Sequence, residues 1–199
     1  LSAKEIIPPS AGLFERLKRV DLVWPDSRGA ALEWSDVASQ MERASESASK
    51  SQSVSPAALT VVNSRRAARE LFTVLRDRFD EGVFHLSTSM CPAHRSSVLA
   101  EVRQRLRERR RCFLVSTQLI EAGVDLDFPV VFRELAPLEA IIQAAGRCNR
   151  EGALRNSAGL TQGQVIVFRS RPAVEEPRRY FPPDRWYLAG RSTLENHFL

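Results

Sequence analysis

Two short segments contain the residues best suited to bind phosphate and sugar groups. The first is Ser116–Pro129, STQLIEAGVDLDFP, which follows the apolar run CFLV. The hydroxyl groups of Ser116 and Thr117 can hydrogen-bond phosphate oxygens, and the carboxylate of Asp125 can accept a hydrogen bond from a ribose hydroxyl. Gly123 has no Cβ, so the backbone there can approach a ligand closely. This segment therefore indicates contact with a nucleotide or with a nucleic-acid backbone.

The second segment is Gln143–Arg150, QAAGRCNR, which concentrates polar side chains in a short space. Gln143, Arg147 and Arg150 follow one another at spacings of four and three residues, which predicts that they share one face of a helix. Gly146 and its alanine neighbours keep the segment thin. Because guanidinium groups present forked donors, we expect the two arginines to converge on one polyphosphate. The open alternative is that either arginine pairs with a neighbouring carboxylate.

The two segments together resemble a known family. T-x-x-x-x-x-G-x-D followed by Q-x-x-G-R-x-x-R is similar to motifs V and VI of superfamily 2 helicases. The amino-acid sequences of both segments, together with HLSTSMCPAHR at His85–Arg95, resemble the CRISPR-associated helicase-nuclease of type I interference systems. The resemblance runs from about Ala58 to Phe168. It implies the second RecA-like domain of a helicase motor.

In that family, the motif VI arginines act in trans on ATP that another RecA-like domain holds. The resemblance makes Arg150 the preferred arginine finger on the γ-phosphate, with Arg147 as its partner and Gln143 beside them. It places Gly123, Asp125 and Gly146 next to the nucleotide. ATP and Mg²⁺ would be held mainly by the first RecA-like domain, and we expect no metal site within this chain.

The resemblance also assigns three loops to the backbone of one nucleic-acid strand. Small hydroxyl and amide groups suit this task because they bind phosphates without reading bases. The expected contacts are Asn63, Ser64, Arg65, Ser87, Thr88, Ser116 and Thr117. The alternative for Asn63 and Ser64 is that they only cap the helix that follows, because caps favour these residue types.

Short apolar runs alternating with amphipathic helices predict the elements that position these residues. We expect strands within Arg19–Trp24 and at Ala58–Val62, Val83–Leu86, Cys112–Val115, Val130–Phe132 and Gln164–Phe168. Helices are expected at Trp34–Ala48, from an N-cap at Ser64, from near Pro92, and at Leu138–Ala145. This alternation predicts an α/β fold of the RecA-like type, in which helices cover both faces of a parallel sheet.

Composition shifts divide the chain into three parts. Residues 1–57 are expected to form a leader or inter-domain connection, in which the serine-rich Ser45–Pro56 is a solvated loop or frayed helix end. Residues 58–170 are expected to form the RecA-like domain, and residues 171–199 a linker and the start of a C-terminal helix. Arg171–Pro183 is rich in proline and predicts an extended segment. The sequence begins with Leu1 instead of an initiator methionine, so we expect it to be a fragment.

Composition also limits the location and the partners. No apolar run approaches the length needed to cross a bilayer, and no secretory leader is visible, so we expect a cytoplasmic protein without membrane contact. The three cysteines lack C-x-x-C spacing, so neither a disulfide framework nor a zinc site is indicated. The basic residues are mostly arginine, which favours phosphate contacts, although coding bias produces the same pattern.

The sequence contains neither a Gly-Lys dipeptide, which a P-loop requires, nor a His-Asp dipeptide, which the family's metal-dependent nuclease domain carries. We therefore expect the C-terminal motor half of an ATP-dependent translocase on single-stranded DNA, coupled to degradation of invading DNA. The chain alone should not hydrolyse ATP. Expected partners are single-stranded DNA, the first RecA-like domain, the nuclease domain and an RNA-guided surveillance complex. Alternatives are an RNA helicase, a restriction motor, or a non-catalytic nucleic-acid or partner-binding module.

Overall fold

A parallel β-sheet forms the centre of the protein. The computed structural model describes residues 18–25, 31–52, 54–121, 124–152, 154, 163–180 and 189–193. Within these residues the strands, in chain order, are β1 (Val20–Val23), β2 (Ala57–Val61), β3 (Val83–Leu86), β4 (Cys112–Ser116), β5 (Val130–Glu134) and β6 (Gly163–Phe168). Every pairing is parallel, and the order across the sheet is β1-β6-β5-β2-β4-β3. The predicted α/β class with a parallel sheet is confirmed.

Helices cover both faces of this sheet. They are α1 (Trp34–Gln52), α2 (Arg65–Arg78), α3 (Pro92–Arg107), α4 (Leu138–Ala145), α5 (Arg171–Glu175) and α6 (Pro177–Tyr180). On one face, Met41 of α1 and Leu71 of α2 are fully buried in the same cluster. On the other, Val102 of α3 and Ala144 of α4 are buried together. Because both faces are covered, the inner strands are mostly apolar rather than alternating.

The predicted strands and the predicted α4 agree closely with the structure, and the start of α2 shows why. Ser64 adopts an extended backbone, and its Oγ accepts a hydrogen bond from the N–H of Ala67 at 3.1 Å. This bond satisfies one of the donors that a helix N-terminus leaves without an intrahelical partner. The predicted N-cap is therefore confirmed.

The serine-rich segment is a correction. Ser45–Pro56 was expected to be a solvated loop or a frayed helix end, but α1 continues to Gln52 and Ser45 is fully buried. The hydroxyls of Ser45 and Ser51 donate to carbonyls within the helix, those of Glu42 and Ser47, both at 2.9 Å, so these two hydroxyls need no water. Ala44 and Ala48 pack against the core, where small residues let the helix lie close to the sheet.

The parts assigned to the two ends of the chain also contribute to this fold. β1 pairs with β6, with Val20 opposite Gly163, and α1 supplies part of the core. The role of residues 1–57 as a connection between domains stays a prediction. The extended segment predicted at Arg171–Pro183 is wrong as far as Tyr180, because α5 and α6 form there. Their prolines occupy first helical turns, where no N–H is needed.

The segments near the C-terminus are only partly described. Residues 189–193 are helical, in agreement with the helix expected near the end of the chain. The other residues of that predicted helix lie outside the described residues. Within the described part of the chain, no helix is long and apolar enough to span a bilayer.

Candidate nucleotide and nucleic-acid site

The motif VI arginines lie on a turn, which corrects the sequence prediction. α4 ends at Ala145 with Gly146 as its cap, so Gln143, Arg147 and Arg150 do not share one helical face. The reason is a backbone pairing with the segment before β5. The N–H of Phe128 donates to the carbonyl of Arg147 at 2.9 Å, and the N–H of Asn149 donates to the carbonyl of Phe128 at 3.1 Å.

The turn is anchored by the carboxylate of Asp127. Its two oxygens accept hydrogen bonds from the N–H groups of Arg150 at 2.8 Å and Glu151 at 3.1 Å. Asn149 has a φ of 46°, a left-handed conformation that asparagine tolerates better than most residues. The turn, residues 146–152, therefore has a defined backbone although it is not helical.

Both motif VI guanidinium groups contact residues of motif V. Arg147 Nη1 donates to the carbonyl of Val124 at 2.6 Å, and Arg147 is half-buried. The guanidinium of Arg150 pairs with the carboxylate of Asp125, and the side chains of these two residues are 43% and 76% exposed. The predicted proximity of the two motifs is confirmed, and the alternative pairing of an arginine with a carboxylate is the one observed.

The arrangement suits the binding of an anion at the surface. An exposed ion pair contributes only about 0–1 kcal/mol, so Arg150 can exchange Asp125 for a phosphate at little cost. Gln143 is exposed on α4, and Gly146 is exposed at its end. The expected ribose contact of Asp125 and the ligand contacts of Gln143 and Gly146 stay predictions. Gly123 lies outside the described residues.

The predicted nucleic-acid residues lie elsewhere, after the ends of β2, β3 and β4. Arg65 is exposed, and its Nη1 donates to Ser89 Oγ at 3.1 Å. This bond joins the start of α2 to the loop after β3. Thr88 in that loop is exposed as well, and Ser64 is half-buried at the helix cap. These three residues remain available to a ligand.

The other predicted nucleic-acid side chains are buried. Ser87, Ser116 and Thr117 are 1%, 0% and 7% exposed. Ser116 Oγ lies 3.1 Å from the carbonyl of Leu86 and 2.9 Å from that of Thr117, so its hydroxyl joins β3 to β4. The prediction that this hydroxyl faces a ligand is wrong, because the hydroxyl hydrogen-bonds to a neighbouring strand instead.

Asn63 is a second correction. It is 4% exposed, and its Nδ2 donates to the carbonyl of Leu135 at 2.9 Å. Its Oδ1 accepts a hydrogen bond from Arg133 Nη1 at 2.7 Å. The side chain therefore neither caps α2 nor faces a ligand. It connects the loop after β2 to the end of β5.

Sequence reasoning missed Asp127, Arg133 and Glu134. Asp127 stands only two residues after Asp125, and its role depends on the motif VI turn, which was predicted as helix. Arg133 and Glu134 are charged residues at the end of the apolar run VVFRELA. Charges are rarely buried unless they are paired, so a charged pair continuing a core strand was a usable signal.

The fold and these two motifs define the class of protein. A parallel sheet covered on both faces, with arginines of motif VI held against motif V, is the second RecA-like domain of a superfamily 2 helicase. Residues 55–153 match the sequence model of one family, described as "CRISPR-associated nuclease/helicase Cas3, C-terminal". This part of the chain belongs to the Cas3 family.

Individual relatives agree with this assignment. Cas3 of Haloferax volcanii is 49% identical over 83 residues, which are 40% of this chain and 8% of that protein. Cas3 of Methanothermobacter thermautotrophicus is 35% identical over 110 residues, which are 55% of this chain and 13% of that protein. The chain therefore matches only about a tenth of the length of these relatives.

Solved structures share the fold. T. fusca Cas3 with ADP superposes with a TM-score of 0.57 at 22% identity, covering 77% of this chain and 18% of that one. A chain of a CRISPR RNA-guided surveillance complex, pre-nicking, gives 0.54 at 17% identity, covering 90% and 24%. S. cerevisiae Dbp5 bound to RNA and ADP BeF3 gives 0.52 at 17% identity, covering 83% and 40%.

Proposed function

We propose that the chain is the C-terminal motor half of an ATP-dependent translocase and helicase that acts on single-stranded DNA. In the longer parent protein, this movement is coupled to nuclease degradation of invading DNA. The observation that carries the proposal is the placement of Arg147 and Arg150 at one surface, where both are held by residues of motif V. Membership of the Cas3 family supports it.

The residues fit a triphosphate presented from outside the chain. Arg150 is the proposed finger because its guanidinium is exposed and its present partner is an exposed carboxylate. Arg147 donates a hydrogen bond to the Val124 carbonyl, and it is the proposed partner of Arg150. Bound ATP supplies negative charge that spreads over the γ-phosphoryl oxygens during transfer. An arginine finger that stabilises this charge is typically worth about a thousandfold or more in rate.

ATP and Mg²⁺ are proposed to be held mainly by the first RecA-like domain. Among the described residues, no group of three or more His, Cys, Asp or Glu side chains could hold a metal ion. The sequence also contains no P-loop lysine. The contribution proposed for this chain is therefore the arginine side of the nucleotide site.

Single-stranded DNA is proposed to cross the ends of β2, β3 and β4. Arg65, Thr88 and the first turn of α2 offer a guanidinium, a hydroxyl and N–H groups there, and these bind phosphates without reading bases. The proposed protein partners are the first RecA-like domain, the nuclease domain and an RNA-guided surveillance complex. The fold similarity to a chain of such a complex supports the last partner.

A coupled ATPase assay of the 199-residue chain, with and without single-stranded DNA, tests the half-site assignment. We expect no turnover above background, because the chain lacks the phosphate-binding lysine. DNA-stimulated turnover by the purified chain would contradict the assignment.

The test of the finger role requires the parent protein. Arg150→Ala is expected to lower stimulated ATPase about a thousandfold while nucleotide binding is largely kept, because the P-loop side is untouched. Arg43→Ala is the matched control, since Arg43 is an exposed arginine on α1. Loss of nucleotide binding by the Arg150 variant in a folded protein, or full activity, would contradict the finger role.

An RNA-directed motor is the second candidate, because the fold also matches Dbp5 bound to RNA. Backbone contacts by hydroxyl and guanidinium groups do not by themselves distinguish the two nucleic acids. Fluorescence anisotropy with single-stranded DNA and RNA of the same sequence separates them. Preference for RNA would favour the second candidate.

A further inference from the structure

A buried polar cluster joins three loops at the carboxyl ends of β2, β5 and β6. Arg133 and Glu134, at the end of β5, are 0% and 1% exposed. The residues before them in the strand are apolar and buried. A buried charge is costly unless it is paired and hydrogen-bonded, so these two residues require their partners.

The contacts of the cluster converge on Asn63. Glu134 Oε2 accepts a hydrogen bond from the Asn63 N–H at 2.8 Å, and Arg133 Nη1 donates to Asn63 Oδ1 at 2.7 Å. Glu134 Oε1 accepts a hydrogen bond from the Ser170 hydroxyl at 2.5 Å. Burial raises the pKa of Glu134, and the bonds from Ser170 and Asn63 and the charge of Arg133 oppose this rise.

The cluster determines where the next residues of the chain lie. Asn63 immediately precedes Ser64, which caps α2, and Arg65, which reaches Ser89 in the loop after β3. A displacement of the Asn63 backbone would therefore move the N-terminus of α2. Apolar residues often stabilise a core as well as buried charged groups do, so stability alone does not account for this cluster.

We propose that Glu134 is a positioning residue whose carboxylate holds the Asn63 backbone, so that Arg65 and the first N–H groups of α2 meet a phosphate of single-stranded nucleic acid. This inference rests on the proposed function, because it requires that the loop after β2 binds the strand. A buried acceptor on β5 would thereby position the exposed groups that are already proposed to bind phosphate.

Three variants of the full chain separate positioning from stability. Glu134→Gln keeps one acceptor for the Asn63 N–H, and the Ser170 hydroxyl can rotate to accept from the new amide. Arg133→Met with Glu134→Met removes both charges together, so neither is left buried alone, and such replacements often keep the fold. Ser170→Ala is the matched control, because it removes the other partner of the same carboxylate.

Two quantities are measured on each variant: the Kd for fluorescein-labelled oligothymidylate by anisotropy, and the exchange rate of the Asn63 amide by NMR. Circular dichroism checks the fold. We expect the double methionine variant to bind about tenfold more weakly, as loss of a charge-assisted hydrogen bond implies, and to exchange the Asn63 amide faster. Glu134→Gln and Ser170→Ala should bind within about twofold of the wild type.

The outcomes distinguish this inference from the function on which it rests. Wild-type affinity in a folded double methionine variant would overturn the positioning role and leave the proposed function standing. A tenfold loss of affinity in Glu134→Gln would also overturn the positioning role, because this variant keeps the acceptor and should bind like the wild type. This second test applies even if the double variant does not fold. If the wild-type chain binds no single-stranded nucleic acid, the proposed function fails and the positioning role fails with it.

Discussion

Gly163 is the position where one added methyl group most directly tests the packing of the motif VI turn. It opens β6, where the backbone passes close to that turn. A Cβ at this position would lie 2.6 Å from Cys148 Sγ and 2.8 Å from Asn149 Cβ. Optimal contacts between heavy atoms are about 3.5–4.0 Å, so Gly163→Ala creates an overlap of roughly 1 Å.

Neither neighbour has room to move aside. Cys148 is 2% exposed, and its Sγ lies 3.5 Å from the carbonyls of Pro129 and Gln164. Asn149 is fully buried, and its Nδ2 donates to the carbonyl of Arg19 at 2.8 Å. Overpacking of this kind costs about 1–3 kcal/mol. At about 2–4 °C for each kcal/mol in a chain of this size, a cost of about 2 kcal/mol lowers Tm by about 4–8 °C.

Urea denaturation followed by circular dichroism measures the free energy of unfolding. Gly146→Ala is the matched control, because its Cβ would lie 3.3 Å from the carbonyl of Gln143 and its φ is already −64°. We expect that control to change the free energy of unfolding by less than about 0.5 kcal/mol. Cys148→Ala in the Gly163→Ala background removes one clashing atom and should recover part of the loss, measured as a double-mutant cycle.

If Gly163→Ala and Gly146→Ala unfold at the same urea concentration as the wild type, the close approach of β6 to the turn does not constrain the turn. An additive double variant would show that Cys148 is not the atom in conflict.

Three further predictions concern single sites. Ser64→Ala removes the cap of α2 and should lower the free energy of unfolding by about 1 kcal/mol in urea denaturation; an unchanged midpoint would contradict the capping role. Burial and the charge of Arg69 lower the pKa of His85 in the folded state. The neutral imidazole therefore contributes stability above the unfolded-state pKa of about 6.5, and this contribution is lost as the pH falls through the lower folded-state pKa. Urea denaturation of His85→Gln between about pH 7 and 5 should show a shallower decline than the wild type, and parallel profiles would count against this. A thiol reagent should label exposed Cys91 in the native chain and spare buried Cys112, whose pKa burial raises to about 12, and buried Cys148; equal labelling of all three would contradict the structure.

Local patterns predicted much of the architecture. The mostly apolar runs ALTVV and QVIVF correspond closely to β2 and β6, because a strand covered on both faces is largely apolar. The resemblance also brought motif V and motif VI together correctly. Helical spacing failed at Arg147 and Arg150, because the pairing of Phe128 with Cys148 ends the helix, and this pairing is distant in sequence.

Burial was harder to predict for polar side chains. Asn63 and Ser116 have residue types that bind phosphates, and their positions after strands favoured that interpretation. In the structure both side chains are buried, and they hydrogen-bond to carbonyls of neighbouring loops and strands. Arg65 and Thr88, which the same reasoning selected, are exposed. The residue type and the strand end were visible in the sequence, but the depth of each side chain was not.

The sequence by itself determined the alternation of strands and helices, the cap of α2, and the two motifs that assign the chain to its family. These features depend on periodicity and on neighbouring residues. Only the tertiary structure decided where α4 ends, which carboxylate receives Arg150, and that Arg133 and Glu134 meet at Asn63. Those outcomes depend on contacts between residues far apart in the chain, and the strand order across the sheet brings such residues together.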